Sequence, residues 1–148
     1  MIRLTEKLIK RELHDATLSL PIDIRIRSRA RVELDDGREA CLFLDRGTIL
    51  RDGDLLADEE GTVIKVIASR ETVSTAYCDD ALQLTKAAYH LGNRHVPLQI
   101  EQSWLRYQHD PVLDEMLKLM GLEVFVEEAA FEPEAGAYQQ QEHRHNHL

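Results

Sequence analysis

The hydrophobic pattern of this chain changes near residue 70, and this change restricts the possible folds more than any other feature. Before residue 70, apolar residues alternate in short runs separated by glycine-containing turns, which is typical of β-strands. After it, apolar residues also recur at the spacing of one helical face. The 148 residues, 43% of them hydrophobic, suit two modest cores. The sequence therefore predicts an α+β protein whose N-terminal all-β domain, residues 1–70, precedes a domain of mixed architecture.

The first half is predicted to contain strands and no helices. Alternation of apolar residues or a β-branched composition predicts strands over residues 3–8, 16–20, 22–26, 32–34, 40–44 and 62–67. Asp35-Asp36-Gly37 is a strong hairpin turn signal between two of these strands. The segment is expected to be a β-rich domain.

Four arginines alternate with smaller or apolar residues in and after the predicted strand 22–26. Because successive side chains of a strand point to opposite faces, one basic stripe would form from Arg25, Arg27, Arg29 and Arg31. The stripe would either dock an acidic protein or peptide, or be a solvated face that protects an edge strand from aggregation. The sequence leaves both interpretations open.

The second half is predicted to follow the order strand-helix-strand-strand-helix-strand over residues 71–131, which is a ferredoxin-like βαββαβ domain. Its first helix begins after Asp79 or Asp80. We expect that helix to end at Gly92 and Asn93, because both residue types tolerate the left-handed conformation.

The second helix has the clearest boundaries in the sequence. Asp110 is its predicted N-cap, Pro111 stands in its first turn and Gly121 ends it. Two short strands joined by a turn near Gln102 separate the helices, and a last strand follows Gly121.

Two histidines flank the helices at what is predicted to be one end of the sheet. His95 follows the first helix and His109 precedes the second. A hairpin that turns near Gln102 would place residues 95 and 109 about opposite each other, and the last strand would end at the same edge. His95 and His109 are therefore candidate metal ligands, although either could be structural when taken singly.

The segment 132–148 has too little apolar surface to fold and is predicted to be a disordered tail. It carries three alternating histidines, His143, His145 and His147. Neutral imidazoles on a flexible chain can surround one cation such as nickel, copper or zinc. The tail is therefore a second candidate metal site, or else a solvated polar end.

Charge and cysteine usage exclude several functions. Nearly all of the net charge of −9 falls after residue 70, and a negative field repels nucleic acid while it attracts cations or a basic partner. Cys41 and Cys78 form no zinc or disulfide motif.

The sequence contains no phosphate loop, nucleophile elbow or zinc-protease motif, so no motif in it indicates catalysis. No apolar run approaches the roughly 18 residues of a membrane span, and a signal peptide is lacking, so we expect a cytoplasmic protein without membrane contact.

The chain resembles the UreE family of urease accessory proteins, which are nickel metallochaperones. The resemblance rests on Gly92-Asn93-Arg94-His95 before Leu98-Gln99, on His109-Asp110 before Val112-Leu113, and on Gly121-Leu122. In the β half it rests on Asp36-Gly37, Asp45-Arg46-Gly47 and Gly53-Asp54.

The resemblance implies a peptide-binding-like β domain, a ferredoxin-like metal-binding domain and a homodimer in which the two His95 side chains hold one nickel ion. It implies an additional metal position at His109, where Pro111 stands in place of a second histidine found in some relatives. The tail histidines match the family by character only. Implied partners are the urease apoprotein with UreD, UreF and the GTPase UreG.

The function expected from the sequence is nickel delivery to apo-urease during active-site assembly, without enzymatic activity. Ni(II) would be the cargo, and Zn(II) or Cu(II) could substitute because imidazole suits all three ions. The alternative is a peptide- or protein-binding module that buffers divalent metals nonspecifically. An RNA-binding ferredoxin-like domain is disfavoured, because it would need a basic field.

Overall fold

The computed structural model describes residues 1–9 and 13–136. The chain divides into two compact units, Met1–Ser69 and Arg70–Leu148. Mixed sheets and helices confirm the predicted α+β class. In the first unit the elements are β1 (Ile2–Leu4), β2 (Glu6–Leu8), β3 (Ala16–Leu20), α1 (Ile22–Arg25), β4 (Arg29–Glu33), β5 (Glu39–Phe43), β6 (Leu55–Ala57) and β7 (Val63–Ala68). In the second they are β8 (Arg70–Tyr77), α2 (Ala81–Asn93), β9 (Gln99–Ile100), β10 (Trp104–Gln108), α3 (Pro111–Leu119) and β11 (Glu123–Ala130).

The first unit consists of two sheets around one apolar core. One sheet has the order β1-β5-β4 and the other β2-β6-β7-β3. Leu4, Leu18 and Leu56 are fully buried in the shared core. The predicted strand 3–8 is interrupted at Thr5, because β1 pairs with β5 whereas β2 pairs with β6 in the other sheet.

The hairpin predicted at Asp35-Asp36-Gly37 joins β4 and β5. Gly37 has φ +94°, a left-handed conformation that glycine adopts without steric cost. The Asp35 carboxylate accepts hydrogen bonds from the hydroxyls of Thr17 (2.6 Å) and Ser19 (2.9 Å), which ties the turn to β3. These hydrogen bonds lower the pKa of Asp35, because they favour the charged carboxylate.

The expectation that no helix precedes residue 71 was wrong, because residues 22–25 form the helical turn α1. Pro21 is the N-cap, with φ −72°, and the buried residues Ile22 and Arg25 lie three apart, on one helical face. Alternating isoleucines over five residues fit a strand and a helical turn almost equally well. Tertiary burial of one face therefore decided the conformation.

The four-arginine stripe was also wrong, because α1 turns Arg25 into the interior. Its side chain is fully buried, and its guanidinium donates to the carbonyl oxygens of Leu20 (3.0 Å) and Leu50 (3.2 Å). Arg29 and Arg31 remain exposed on β4. Arg25 therefore cannot contribute to an exposed basic stripe that docks an acidic partner, and it has a structural role instead.

The second unit confirms the predicted ferredoxin-like topology. Its sheet has the order β11-β8-β10-β9 with all pairs antiparallel. Both helices pack on one face of this sheet, where Leu91, Leu105 and Leu117 are fully buried in one core. Asp80 and Asp110 are the N-caps of α2 and α3.

The antiparallel order brings four chain positions to one end of this sheet, which we call the histidine end. β8 and β9 begin there, and β10 and β11 end there. His95 precedes β9 and His109 follows β10, so the fold carries both residues toward the same end. No helix in the part of the chain that the structure describes has the length and hydropathy needed to cross a membrane.

Candidate metal centre

His95 lies at the end of α2 in a backbone motif that normally contains glycine. The N–H of His95 donates to the Gly92 carbonyl (3.0 Å), and the N–H of Val96 donates to the Leu91 carbonyl (3.2 Å). These two bonds define a Schellman motif, and His95 occupies its left-handed position with φ +58°. The helix ends at Asn93 as predicted, but the left-handed residue is His95 and not Gly92 or Asn93, which are both helical.

The end of α3 shows the same motif with the expected residue. The N–H of Gly121 donates to the Lys118 carbonyl (3.0 Å), and the N–H of Leu122 donates to the Leu117 carbonyl (3.0 Å). Gly121 has φ +94°. His95 is the one non-glycine residue with positive φ among residues 1–9 and 13–136. A side chain in this conformation costs roughly 1–2 kcal/mol. The structure therefore places an exposed imidazole at a site where local stability favours glycine.

The expected register between His95 and His109 was wrong in detail. β9 pairs with β10 as Ile100 with Leu105 and Gln99 with Arg106, one residue away from the expected register. The pairing stops at Gln99, so His95 and His109 share the histidine end without facing each other in a ladder.

His109 contacts two polar side chains of the second unit, and a third holds one of these two in place. Its Nδ1 atom lies 3.0 Å from the Ser74 hydroxyl and 3.2 Å from Oδ2 of Asp114. The other carboxylate oxygen of Asp114 accepts a hydrogen bond from the Tyr107 hydroxyl (2.6 Å). Ser74 and Tyr107 are fully buried and Asp114 is nearly so, while the His109 side chain is 32% exposed.

Burial, followed by the Asp114 carboxylate, raises the pKa of Tyr107, so its hydroxyl stays protonated and donates. The sequence analysis did not identify this cluster, because an acidic residue in the first turn of a helix, as Asp114 is, is already explained by the positive end of the helix dipole. Asp114 follows Asp110 by one helical turn. This spacing is the one sequence signal that could have placed Asp114 beside the residues that lead into α3.

The segment after β11 crosses the sheet face opposite the helices and reaches β9. Arg106 donates to the Ala130 carbonyl (3.0 Å), the N–H of Glu132 donates to Oε1 of Gln99 (2.9 Å), and the N–H of Glu134 donates to the Leu98 carbonyl (2.8 Å). Phe131 is fully buried. The first residues of the predicted tail are therefore anchored three positions from His95.

The remaining histidines are distributed as follows. His143, His145 and His147 lie outside the described residues. His14 and His90 are exposed, and the His90 ring contacts that of Tyr89 at a centroid distance of 5.4 Å. Within residues 1–9 and 13–136, no three His, Cys, Asp or Glu side chains come together so that they could hold a metal ion.

The fold and the histidine end define a class of two-domain proteins in which a β-domain precedes a ferredoxin-like domain. Family models match both parts of the chain: the N-terminal domain of the UreE urease accessory protein over residues 3–69 and its C-terminal domain over residues 71–148. The chain belongs to the UreE family of urease accessory proteins.

Individual relatives show the same similarity over most of the chain. The urease accessory protein UreE of Citrobacter koseri is 53% identical, covering 99% of this chain and 97% of the relative. That of Pseudomonas putida is 57% identical over 97% of this chain and 89% of the relative. That of Alcanivorax borkumensis is 60% identical over 84% of this chain and 73% of the relative.

Proposed function

We propose that this protein is a nickel metallochaperone that binds Ni(II) through His95 and delivers it to apo-urease during maturation of the enzyme. The observation that carries the proposal is His95 itself, an exposed imidazole held in the left-handed position of a rigid helix end. A residue that costs local stability at an exposed site is expected to serve function. The name of the relatives, urease accessory protein, supplies the recipient.

A second copy of the chain supplies the second ligand in this proposal. One imidazole is a weak site, whereas a two-fold axis beside His95 brings two equivalent imidazoles to one ion. If nickel binds the dimer and not the monomer, bound nickel also stabilises the dimer. Neutral imidazoles without thiolates exchange ligands readily and release metal as the pH falls toward about 6.5, which suits a carrier.

The recipient is the urease apoprotein complex with UreD, UreF and the GTPase UreG, in the cytoplasm. Zn(II) and Cu(II) compete for the same imidazoles, and Cu(II) has the higher intrinsic affinity. Nickel delivery therefore depends on metal supply and on the partner complex as well as on the ligands.

Substitution of His95 with alanine tests the central site. We expect isothermal titration calorimetry with nickel sulfate to show one tight ion per two wild-type chains, and His95→Ala to lose that ion. Urease activation in cells that lack the endogenous chaperone should fall in parallel. The matched control is His90→Ala, which removes an exposed imidazole from α2, the helix that His95 follows. Unchanged tight stoichiometry in His95→Ala would contradict the proposal.

The tail is proposed to capture nickel and pass it to His95. Glu134 is anchored beside Leu98, and His143 follows nine residues later, within about 30 Å of chain length. Tethering at this range gives an effective ligand concentration on the order of millimolar.

Deletion of residues 137–148 is therefore expected to lower the number of bound nickel ions while it leaves the tight ion of the dimer in place. Equilibrium dialysis at saturating nickel measures the total, and calorimetry measures the tight ion. A deletion variant that binds as many ions as the full chain would show that the tail histidines are not ligands.

A further inference from the structure

We propose that Asp114 is a positioning residue that fixes the imidazole of His109 so that its Nε2 atom is presented to a divalent cation. This inference rests on the proposed function, since it assigns how a second imidazole of the histidine end is prepared for nickel. Its starting point is the contact between Oδ2 of Asp114 and Nδ1 of His109 at 3.2 Å.

The contact selects one form of the neutral ring. A carboxylate is an acceptor only, so it favours a proton on Nδ1 and repels the lone pair that the other tautomer would place there. With the proton on Nδ1, the lone pair lies on Nε2, the atom that can bind a metal. Metal-binding histidines usually donate the second ring N–H to a carboxylate, a backbone carbonyl or water, and Asp114 is an acceptor of the first kind.

The carboxylate is itself held firmly. Tyr107 donates to its other oxygen at 2.6 Å, and the N–H of Asp114 donates to the Asp110 carbonyl at 2.9 Å in the first turn of α3. The Asp114 side chain is only 8% exposed. A fixed acceptor beside a ring that is one-third exposed leaves the ring orientation defined and its far edge within reach of solvent.

The Ser74 hydroxyl completes the arrangement. It lies 3.0 Å from the same Nδ1 atom and is fully buried on β8. Its oxygen can share the Nδ1 proton as a second acceptor, because a hydroxyl offers two lone pairs. Side chains of β8 and α3 thus converge on one nitrogen of His109, and Tyr107 of β10 holds the Asp114 carboxylate in place.

The test uses the full-length, metal-free protein labelled with ¹⁵N. Long-range ¹⁵N–¹H correlation spectra of the histidine rings are expected to show His109 with its proton on Nδ1. In Asp114→Asn, the amide accepts from Tyr107 and donates to Nδ1, so we expect the proton to move to Nε2. Wild-type spectra that show the proton on Nε2 would overturn the proposal, whether or not the variant folds.

Nickel sulfate titration followed by paramagnetic broadening of the His109 signals gives the second readout. We expect Asp114→Asn to need roughly tenfold more nickel for the same broadening. Asp110→Asn is the matched control. It removes one negative charge, as Asp114→Asn does, and it keeps the helix cap because asparagine and aspartate are equally good N-cap residues. Equal broadening in both variants would overturn the role of Asp114.

These outcomes are separable from failure of the proposed function. The ring tautomer is read without metal, and loss of tight nickel on changing His95 is read by calorimetry. If His95 binds no nickel while His109 still shows the Asp114-dependent tautomer and broadening, the proposed delivery site fails and the positioning role stands.

Discussion

Replacement of His95 with glycine is expected to give a protein that is more stable than His95→Ala by about 1 kcal/mol, yet equally unable to bind the tight nickel ion. Both substitutions delete the imidazole and its contacts, so the comparison isolates the backbone. Alanine retains the steric cost of φ +58°, whereas glycine does not. Urea unfolding of the metal-free variants, followed by the fluorescence of Trp104, reports the second unit.

The equivalent position of α3 supplies the control for this prediction. Gly121 occupies the same place in the second Schellman motif with φ +94°. Gly121→Ala should therefore lose about 1 kcal/mol of unfolding free energy, with no change in nickel binding. Equal stabilities of His95→Gly and His95→Ala would mean that the left-handed position is not strained, and the functional argument from strain would fail.

Substitution of Arg25 with methionine is expected to destabilise the first unit by about 2–4 kcal/mol. Methionine fills a comparable volume but donates no hydrogen bond, so the carbonyl oxygens of Leu20 and Leu50 lose a buried donor. Loss of each partner in a buried pair costs roughly 1–3 kcal/mol. Native-state hydrogen exchange at the amides of β3 and β7 measures the change.

Arg31→Met provides the matched control on the predicted stripe. The Arg31 side chain is 76% exposed and forms a surface ion pair with Glu39 at 3.5 Å. Such pairs contribute little, so its loss should change stability by less than about 0.5 kcal/mol. If Arg25→Met were as mild as Arg31→Met, the buried guanidinium would not stabilise the fold.

Local signals made the second unit predictable. Asp80 and Asp110 accept hydrogen bonds from the first backbone N–H groups of their helices, and Gly121 closes α3. Each of these effects acts within a few residues, so the order of helices and strands could be read before any long-range contact was known. The predicted topology made His95 and His109 candidate ligands, and the family resemblance singled out His95 as the ligand that two subunits would share.

The first unit shows where such signals fail. Residues 22–26 are too few to separate a period of two from a helical period, and burial of Ile22 and Arg25 decided in favour of a helix. The helix α2 ends at Asn93 as predicted, but the left-handed residue that follows it was mispredicted for a related reason. Gly92 suits the left-handed position, but packing of Val96 against the core moved that position to His95.

The sequence by itself determined the α+β class, the ferredoxin-like order, the helix caps and the family, because these depend on local spacing and on short motifs. Tertiary structure alone decided that Arg25 is buried, that Asp114 meets His109, and that the segment after β11 returns to Leu98. Those contacts join residues on different elements, and packing of one layer against another selects them. His95 and His109 could thus be named as candidate ligands from the sequence, whereas Asp114 and Ser74, which contact the His109 ring, could not.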